Sequence, residues 1–584
     1  MKQVNSKYKD RLQMLKKSIK DLNLYGFIML RTDEFQGEFL APYAERVQWL
    51  TGFTGSAGLA IVLQDRAVVM SDGRYTLQLK QQVDGDLFDT ADSTVISIGG
   101  WLSQNASGRI GYDVWLHTPK QIEKIIADIG DADIELVPIN TNPVDALWID
   151  QPDRPKAGIT IFPDDIAGVS SFDKRHDIAK KLKEVGAASC LLTLSDSICW
   201  LLNVRGGDVD FSPLILSYAI LHDDGTLDWF VDPDKVGKNL VPTLGDGVRL
   251  HDFDAIEKQF RALSSKIWVD RFSAPIWFEQ NCAGDIYDAP DPCSLPKSIK
   301  TLSEKSAIKQ AHIYDGVAIV KFLKWIDESV GRMSLNELSV EEKLEEFRRE
   351  HSSYLGASFS TIAGFNANGA IIHYRATEST NEAIEGDGLL LVDSGGQYQW
   401  GTTDITRTIA IGTPSQEMRE NYTRVLQGHI ALANAKFSRE TLAKDIDALA
   451  RAPLQTVGLN YAHGTGHGVG CYLCVHEESS NISPRGEKTF EAGMLISNEP
   501  GYYEEGAYGI RTENLVLVQE CEGQLCFETV TLAPFDCRLI IWDMLSEDET
   551  RWLREYYSLI KEKIAPLLNK EEKAWLNENL VVHR

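Results

Sequence analysis

The chain has 584 residues, more than one hydrophobic core can organise, because cores stop growing at roughly 250–300 residues and chains then divide. Hydrophobic residues at 43% and charged residues at 25% are the composition of an ordinary globular protein and exclude a disordered one. A net charge of −26 repels phosphate backbones and anionic membrane surfaces, which excludes nucleic acid and membranes as expected partners.

The first residues, MKQVNSKYKDRLQML, lack the apolar core of a signal peptide, and no apolar run reaches the roughly 18 residues of a membrane span. A cytosolic protein is expected. Nine cysteines without regular spacing fit reduced thiols better than a disulfide framework.

Two N-terminal segments read as copies of one unit. The first runs from a basic amphipathic helix (KDRLQMLKKSIKDL) through an apolar strand (YGFIML) to Trp49-Leu50-Thr51-Gly52-Phe53-Thr54-Gly55, then into the strands LAIVL and AVVMS. The second repeats that order from Asp173: helix DKRHDIAKKLKEVG, strand SCLLTL, Trp200-Leu201-Leu202-Asn203-Val204-Arg205-Gly206, then YAILHDDGTLDWFVD, two strands with Asp-Gly at the turn. The shared Trp-Leu pair and the glycine five residues after its leucine favour duplication over a chance helix-then-strand order. Turn formers at Gln151–Pro155 and at Ala289–Pro296 predict boundaries near 160 and 300, hence domains at 1–160, 161–300 and 301–584.

After the second break, SEKSAIKQAHIYDGVAIVKFLKWIDESV predicts a long helix. Every cluster able to carry chemistry follows it. Leu389–Val392 form an apolar strand ending on Asp393, and Asp404 follows within Gly401-Thr402-Thr403-Asp404-Ile405-Thr406-Arg407-Thr408, so a hairpin would bring the two acids together. The pattern returns where Met494–Asn498 lead to Glu499, and where Gly509-Ile510-Arg511-Thr512-Glu513-Asn514 open a further strand.

Between these hairpins lies Ala462-His463-Gly464-Thr465-Gly466-His467-Gly468-Val469-Gly470, with His476 close behind. In an extended chain alternate residues share a face, so His463, Thr465 and His467 would point one way while the glycines admit a neighbouring element. Four carboxylates cannot ionise at close range without compensation, and two divalent cations are the natural compensation. An oxygen-rich donor set with one imidazole suits Mn²⁺ first, with Zn²⁺, Co²⁺ or Fe²⁺ also accommodated. Two such ions would hold a bridging hydroxide and polarise a carbonyl, which is machinery for hydrolysis.

The motifs HGTGHGVG at 463–470, VDSGGQY, GTTDITRT, NEPGYY and IRTEN, with WLTGFTGSAG, SDGRYTLQ and WLLNVRGGDVDFSP upstream, resemble the pita-bread metallopeptidases, specifically the large three-domain Xaa-Pro aminopeptidases (aminopeptidase P). The resemblance covers nearly the whole chain. It implies an α/β and α+β architecture: two duplicated creatinase-type α/β domains, then a pita-bread catalytic domain with a helical extension.

By the same resemblance Asp393 binds one metal, Asp404 and Glu513 bridge both, and His467 and Glu499 bind the second. His373, His463 and His476 would contact substrate and the developing oxyanion, Glu499 would shuttle a proton, and Tyr503 and Arg511 would support the site or its proline pocket. The implied reaction is attack of the metal-bridging hydroxide on the Xaa-Pro bond of peptides with a free N-terminus.

Two departures stand out. Asn498 occupies a usual aspartate position, and Glu478-Ser479-Ser480 replaces a usual Gly-Pro after the acid that follows the third histidine. Cys471 and Cys474, between His467 and His476, imitate a zinc knuckle without its second cysteine pair. A prolidase acting on Xaa-Pro dipeptides uses the same ligands, and some non-catalytic peptide-binding modules share the fold after losing them. The duplicated N-terminal half and the presence of all five ligands argue against both. The resemblance also implies a homodimer, for which the apolar face Trp552, Leu553, Tyr556, Leu559 and Ile560 would offer a surface.

Overall fold

The computed structural model describes residues 2–238 and 240–582. It divides into two compact units, one of residues 1–164 and 169–294, the other of 165–168 and 295–584.

The first unit holds two six-stranded sheets of identical topology. In one, Gly26–Leu30 pairs antiparallel with Leu59–Leu63, which pairs antiparallel with Ala67–Ser71, while Gly108–Asp113 joins the other side of Gly26–Leu30 in parallel. In the other, Ser189–Leu192 takes the place of Gly26–Leu30, Tyr218–His222 and Leu227–Phe230 form the antiparallel side, and Ile267–Val269 the parallel side. The duplicated order expected from sequence is therefore a duplicated sheet.

The shared Trp-Leu pairs sit on matching short helices, Arg46–Thr51 and Ser195–Leu202. Each helix ends on a left-handed residue, Gly52 at φ 81° and Asn203 at φ 51°. Glycine and asparagine are the residues that tolerate that conformation, so the equivalent stop is chemical rather than literal. The glycines matched in the sequence, Gly55 and Gly206, lie beyond it.

The two sheets belong to one unit because aromatic side chains join them. Trp115 stacks on Trp277 at 4.7 Å, Tyr218 lies 5.0 Å from Phe35, and the Ile276 amide donates to the His117 carbonyl at 2.7 Å.

Beside this junction Asp33 is fully buried. Its Oδ1 accepts from the amides of Phe35 and Gly37 at 3.0 and 2.9 Å, while Oδ2 has no hydrogen-bond partner. Burial, with the neighbouring Glu34, pushes its pKa from the ordinary 3.8 up to about 7. The folded chain then holds a proton that the unfolded chain releases, so this group costs stability progressively as pH rises from 3.8 to about 7, and fully above that. Asp33→Asn retains the Oδ1 acceptor and cannot ionise. Its melting temperature relative to the parent should therefore be higher at about pH 8 than at about pH 5, by several degrees in thermal unfolding. An offset that does not change with pH would contradict this.

In the second unit the expected long helix spans Leu302–Ser329, started by a capping box between Thr301 and Glu304. Its buried positions Ile308, Ala311, Asp315, Ile319, Phe322 and Ile326 recur at helical spacing. With Val340 and Leu344 of the helix Glu337–Arg349, its lower half packs on Leu390, Val392, Ile405 and Ile409 of an antiparallel sheet. That sheet orders Ile362–Phe365, Gly388–Ser394 and Ile405–Ile411. Leu389 and Leu391, on the opposite face, enter other clusters, as strand alternation requires.

A second helix pair, Gln416–Ala433 and Ala443–Gln455, covers the six-stranded sheet that contains Gly466–Gly468, Glu477–Ile482, Leu495–Asn498 and Asn514–Cys521. Two helix-covered sheets thus present two hairpins to one another.

Two expectations are corrected. Leu553, Tyr556 and Ile560 of the helix Glu547–Lys563 are buried in their own unit's core against Tyr422, Val425 and Leu426, with Trp552 and Leu559 packed at its margin. That face is already covered and offers no argument for a dimer. Cys521 and Cys526, expected as thiols, are paired across the hairpin of Asn514–Cys521 and Gln524–Thr529. Linear spacing held no sign that a two-residue turn would bring them together. Among the described residues no helix is long and apolar enough to cross a membrane.

Candidate active site

The four acids sit where two hairpins meet. Gly388–Ser394 carries Asp393 near its end and pairs with Ile405–Ile411, whose register begins just after Asp404. Leu495–Asn498 and Asn514–Cys521 pair with Asn498 opposite Asn514, so Glu499 and Glu513 flank the same end of that ladder. The two ladders are joined directly: the Glu513 amide donates to the Thr406 carbonyl at 3.2 Å, and the Thr406 hydroxyl donates to Glu513 Oε2 at 2.7 Å.

His467 reaches this junction from Gly466–Gly468. Its Nε2 lies 3.5 Å from Asp404 Oδ2 and 3.6 Å from Glu499 Oε1. Asp404, His467 and Glu513 each offer a ligand atom within 4.8 Å of the others, a spacing that fits a divalent metal ion. The glycines beside His467 allow the approach, since a Cβ on Gly466 would stand 2.0 Å from the Ser497 carbonyl oxygen and one on Gly468 2.6 Å from that of Glu477.

The electrostatics call for cations. Burial raises the pKa of Asp393, with Asp404 adding to the rise and Arg511 opposing it; burial also raises Glu499, against the pull of His467. Glu513 is driven well up by burial and then by Asp404, Glu499 and Asp393. Burial pulls His467 down, but Asp404 and Glu499 outweigh it and push it up to about 9. Asp393 Oδ1 is buried with no hydrogen-bond partner. A buried carboxylate oxygen left so is costly, and a metal would satisfy it.

The short hairpin of Gly501–Glu504 and Tyr508–Arg511, inserted between the second pair of acids, is a separate element rather than the start of the following strand. It brings Tyr503 and Arg511 together. Arg511 Nη2 donates to Asp393 Oδ2 at 2.6 Å, its Nη1 to Tyr503 Oη at 2.7 Å and its Nε to Thr406 Oγ1 at 3.2 Å. Tyr503 Oη in turn lies 2.9 Å from His463 Nε2. His463 Nδ1 faces the Gly464 carbonyl at 2.7 Å, so in the neutral ring that nitrogen carries the proton and Nε2 accepts from Tyr503. His476 packs edge-on to His467, ring centres 4.4 Å apart. His373 lies half-buried on the turn that follows the short helix Asn366–Ala370.

Thr465 does not join the histidines. Its hydroxyl donates to Asp447 at 2.6 Å and meets Tyr461 Oη at 2.5 Å, inside the core.

Three comparisons bear on this arrangement. Residues 11–147 and 150–304 each match a Creatinase/Prolidase N-terminal domain, residues 306–520 match metallopeptidase family M24, and residues 523–580 match the C-terminal region of peptidase M24. Xaa-Pro aminopeptidase 1 of Dictyostelium discoideum is 36% identical over 96% of this chain and 94% of its own length. The chain belongs to the Xaa-Pro aminopeptidases of family M24. Aminopeptidase P1 of Arabidopsis thaliana is 33% identical over 95% of this chain and 96% of its own. The crystal structure of an X-prolyl aminopeptidase from Caenorhabditis elegans, described as a cytosolic enzyme with a di-nuclear active site, matches with a TM-score of 0.93 at 27% identity over 99% of this chain and 100% of that one. The prolidase of Pyrococcus furiosus shares the fold at a TM-score of 0.50 and 24% identity, its chain covered to 98% by only 60% of this one.

In this Xaa-Pro aminopeptidase sequence the departure at Asn498 has a structural use: its Nδ2 donates to the His429 carbonyl at 2.9 Å, which an ionised aspartate could not do. The side chain of Glu478 lies outside what the structure describes. Cys471 Sγ donates to the Trp400 carbonyl at 3.3 Å. Arg407 and Thr406 stand in the GTTDITRT motif with no sequence signal of their own. Nothing in linear order tells that Arg407 turns inward to the hairpin junction.

Proposed function

We propose that this chain is a metalloaminopeptidase that releases the N-terminal residue from peptides with proline at the second position. The observation that carries this reading is the convergence of Asp404, His467 and Glu513 at the junction of two hairpins, with Asp393 and Glu499 at the ends of the same strands. Full-length relatives named Xaa-Pro aminopeptidase and a di-nuclear structural neighbour support the substrate class and two ions rather than one.

In this reading Asp393 would serve one ion, His467 and Glu499 the other, and Asp404 and Glu513 both. Two divalent ions held there, Mn²⁺ by the oxygen-rich donor set, would supply an activated water and a Lewis acid for a peptide carbonyl. Arg511 fixes the Asp393 carboxylate through Oδ2 and leaves Oδ1 for the metal. Glu499 takes the proton of the attacking water and passes it to the leaving nitrogen. His373, His463 and His476 bind the scissile carbonyl and the charge that develops on it. For His463 this requires a protonated ring, or release of Nε2 from Tyr503 when substrate enters. The reading includes three domains at 1–160, 161–300 and 301–584, a cytoplasmic location and a homodimer, the last on the resemblance alone.

Metal-loaded protein should cleave an Xaa-Pro-Yaa tripeptide and leave both an Xaa-Ala-Yaa tripeptide and an Xaa-Pro dipeptide largely intact. Chelation should abolish turnover and Mn²⁺ should restore it. Preference for the dipeptide would make the chain a prolidase, and full activity without metal would end the mechanism.

A further inference from the structure

Glu337 opens the helix Glu337–Arg349, and its side chain is buried at 0% exposure. A carboxylate removed from water must find donors to replace its hydration. Four residues supply them. Oε1 accepts from the Phe365 amide at 2.7 Å and Asn368 Nδ2 at 3.0 Å; Oε2 accepts from Tyr374 Oη at 2.7 Å, the Glu382 amide at 3.0 Å and Asn368 Nδ2 at 3.1 Å. All four donors lie on the stretch 365–382, near both its ends and at its middle, and His373 is inside it.

The other side of this stretch is clamped by backbone. A Cβ on Gly509 would stand 1.7 Å from the Gly369 oxygen, and one on Gly364 2.7 Å from the Gly369 nitrogen, so the helix Asn366–Ala370 lies directly against the strands of Ile362–Phe365 and Tyr508–Arg511. Ile371 and Tyr374, on either side of His373, pack in one apolar cluster with Tyr503, the partner of His463. The turn that bears His373 is thus tied by one buried carboxylate on one side and by the edge of the site on the other.

We infer that Glu337 is a positioning residue for His373, its carboxylate fixing both ends of the 365–382 segment and thereby where the imidazole stands against the substrate. The inference rests on the proposed contact of His373 with substrate. Glu337→Gln would keep one acceptor oxygen and turn an amide toward the Glu382 amide, which can only donate, while the Tyr374 hydroxyl would have to give its proton to the Thr380 carbonyl instead. The segment would relax, and a shift of about 1 Å in a reacting group costs about 10²-fold in rate.

The test is a double-variant cycle on metal-loaded protein with an Xaa-Pro-Yaa substrate: parent, Glu337→Gln, His373→Ala and the pair, each with its bound metal measured. Glu337→Gln should lower kcat about 10²-fold with KM and metal content unchanged, and should add no further loss once His373 is alanine. If the two losses multiply, or if Glu337→Gln sheds metal, the inference is overturned while the reading of His373 stands. Full activity of His373→Ala overturns that reading and the inference with it. Should Glu337→Gln not fold, Asn368→Ala decides in the same cycle: it removes one donor and keeps the carboxylate, so a smaller loss that vanishes in the His373→Ala background supports the inference and an independent loss overturns it.

Discussion

Alanine at His467 is expected to strip the protein of metal and of activity together, whereas alanine at His463 is expected to keep the metal and lower kcat by about 10²–10³. They stand four positions apart in sequence, and their surroundings differ in kind. His467 Nδ1 faces the Gly468 carbonyl at 2.9 Å, which places its proton there and leaves Nε2, between Asp404 and Glu499, as the ligand nitrogen. Removing it leaves four carboxylates with no imidazole among them. His463 is not in the group of ligand atoms around Asp404; it is joined to Tyr503 and through it to Arg511. A group that meets only charge developed on the substrate lowers kcat without loosening ground-state binding. Metal analysis beside steady-state kinetics on the two variants makes the comparison. If His463→Ala sheds metal as His467→Ala does, the division of the histidines is wrong.

The parts of this fold that were legible in the sequence are those carried by short-range pattern. Apolar strands leading to Asp393 and Glu499, the glycines beside His467, and the repeated helix, strand and Trp-Leu pair of the N-terminal half each have a local signature: Asp393 and His467 lie within strands, Glu499 directly follows one, and His463 stands on a bend before Gly466–Gly468. What failed depends on contacts that no local pattern announces. The amphipathic face of Glu547–Lys563 is visible as a pattern, but whether it meets a second copy or its own helix Gln416–Ala433 is decided by the path of the chain. Thr465 has the alternation of its histidine neighbours, yet a tyrosine and an aspartate already await its hydroxyl in the core. Arg511 and Tyr503 stand out by resemblance, but the bond of Arg511 to Asp393 spans 118 residues and no spacing announces it.

Arg407 is the largest such omission, and replacing it with methionine should cost the second unit most of its stability. The guanidinium is buried beside the ring of Phe535 at 4.4 Å. It donates to the carbonyls of Thr406, Glu513, Pro534 and Ala533 and to Asn514 Oδ1, all at 2.7–2.8 Å. Two of these acceptors, on Thr406 and Glu513, stand at the point where the two hairpins join, so one side chain ties together the strands that carry Asp404 and Glu513. Methionine fills much of the volume but donates nothing. Each acceptor left buried and unpaired costs about 1–3 kcal/mol, and although such terms do not add, several together are large against a typical stability of about 5–15 kcal/mol. At about 2–4 °C per kcal/mol for a unit of this size, the melting temperature should fall by about 10 °C or more, with lysine in the same position falling less because it keeps a charge and up to three donors. Metal content should drop with the fold of the junction rather than with the loss of any ligand. Calorimetry and metal analysis on Arg407→Met and Arg407→Lys test this. A methionine variant that melts within about 2 °C of the parent and binds metal as the parent does would show that the junction holds without its arginine.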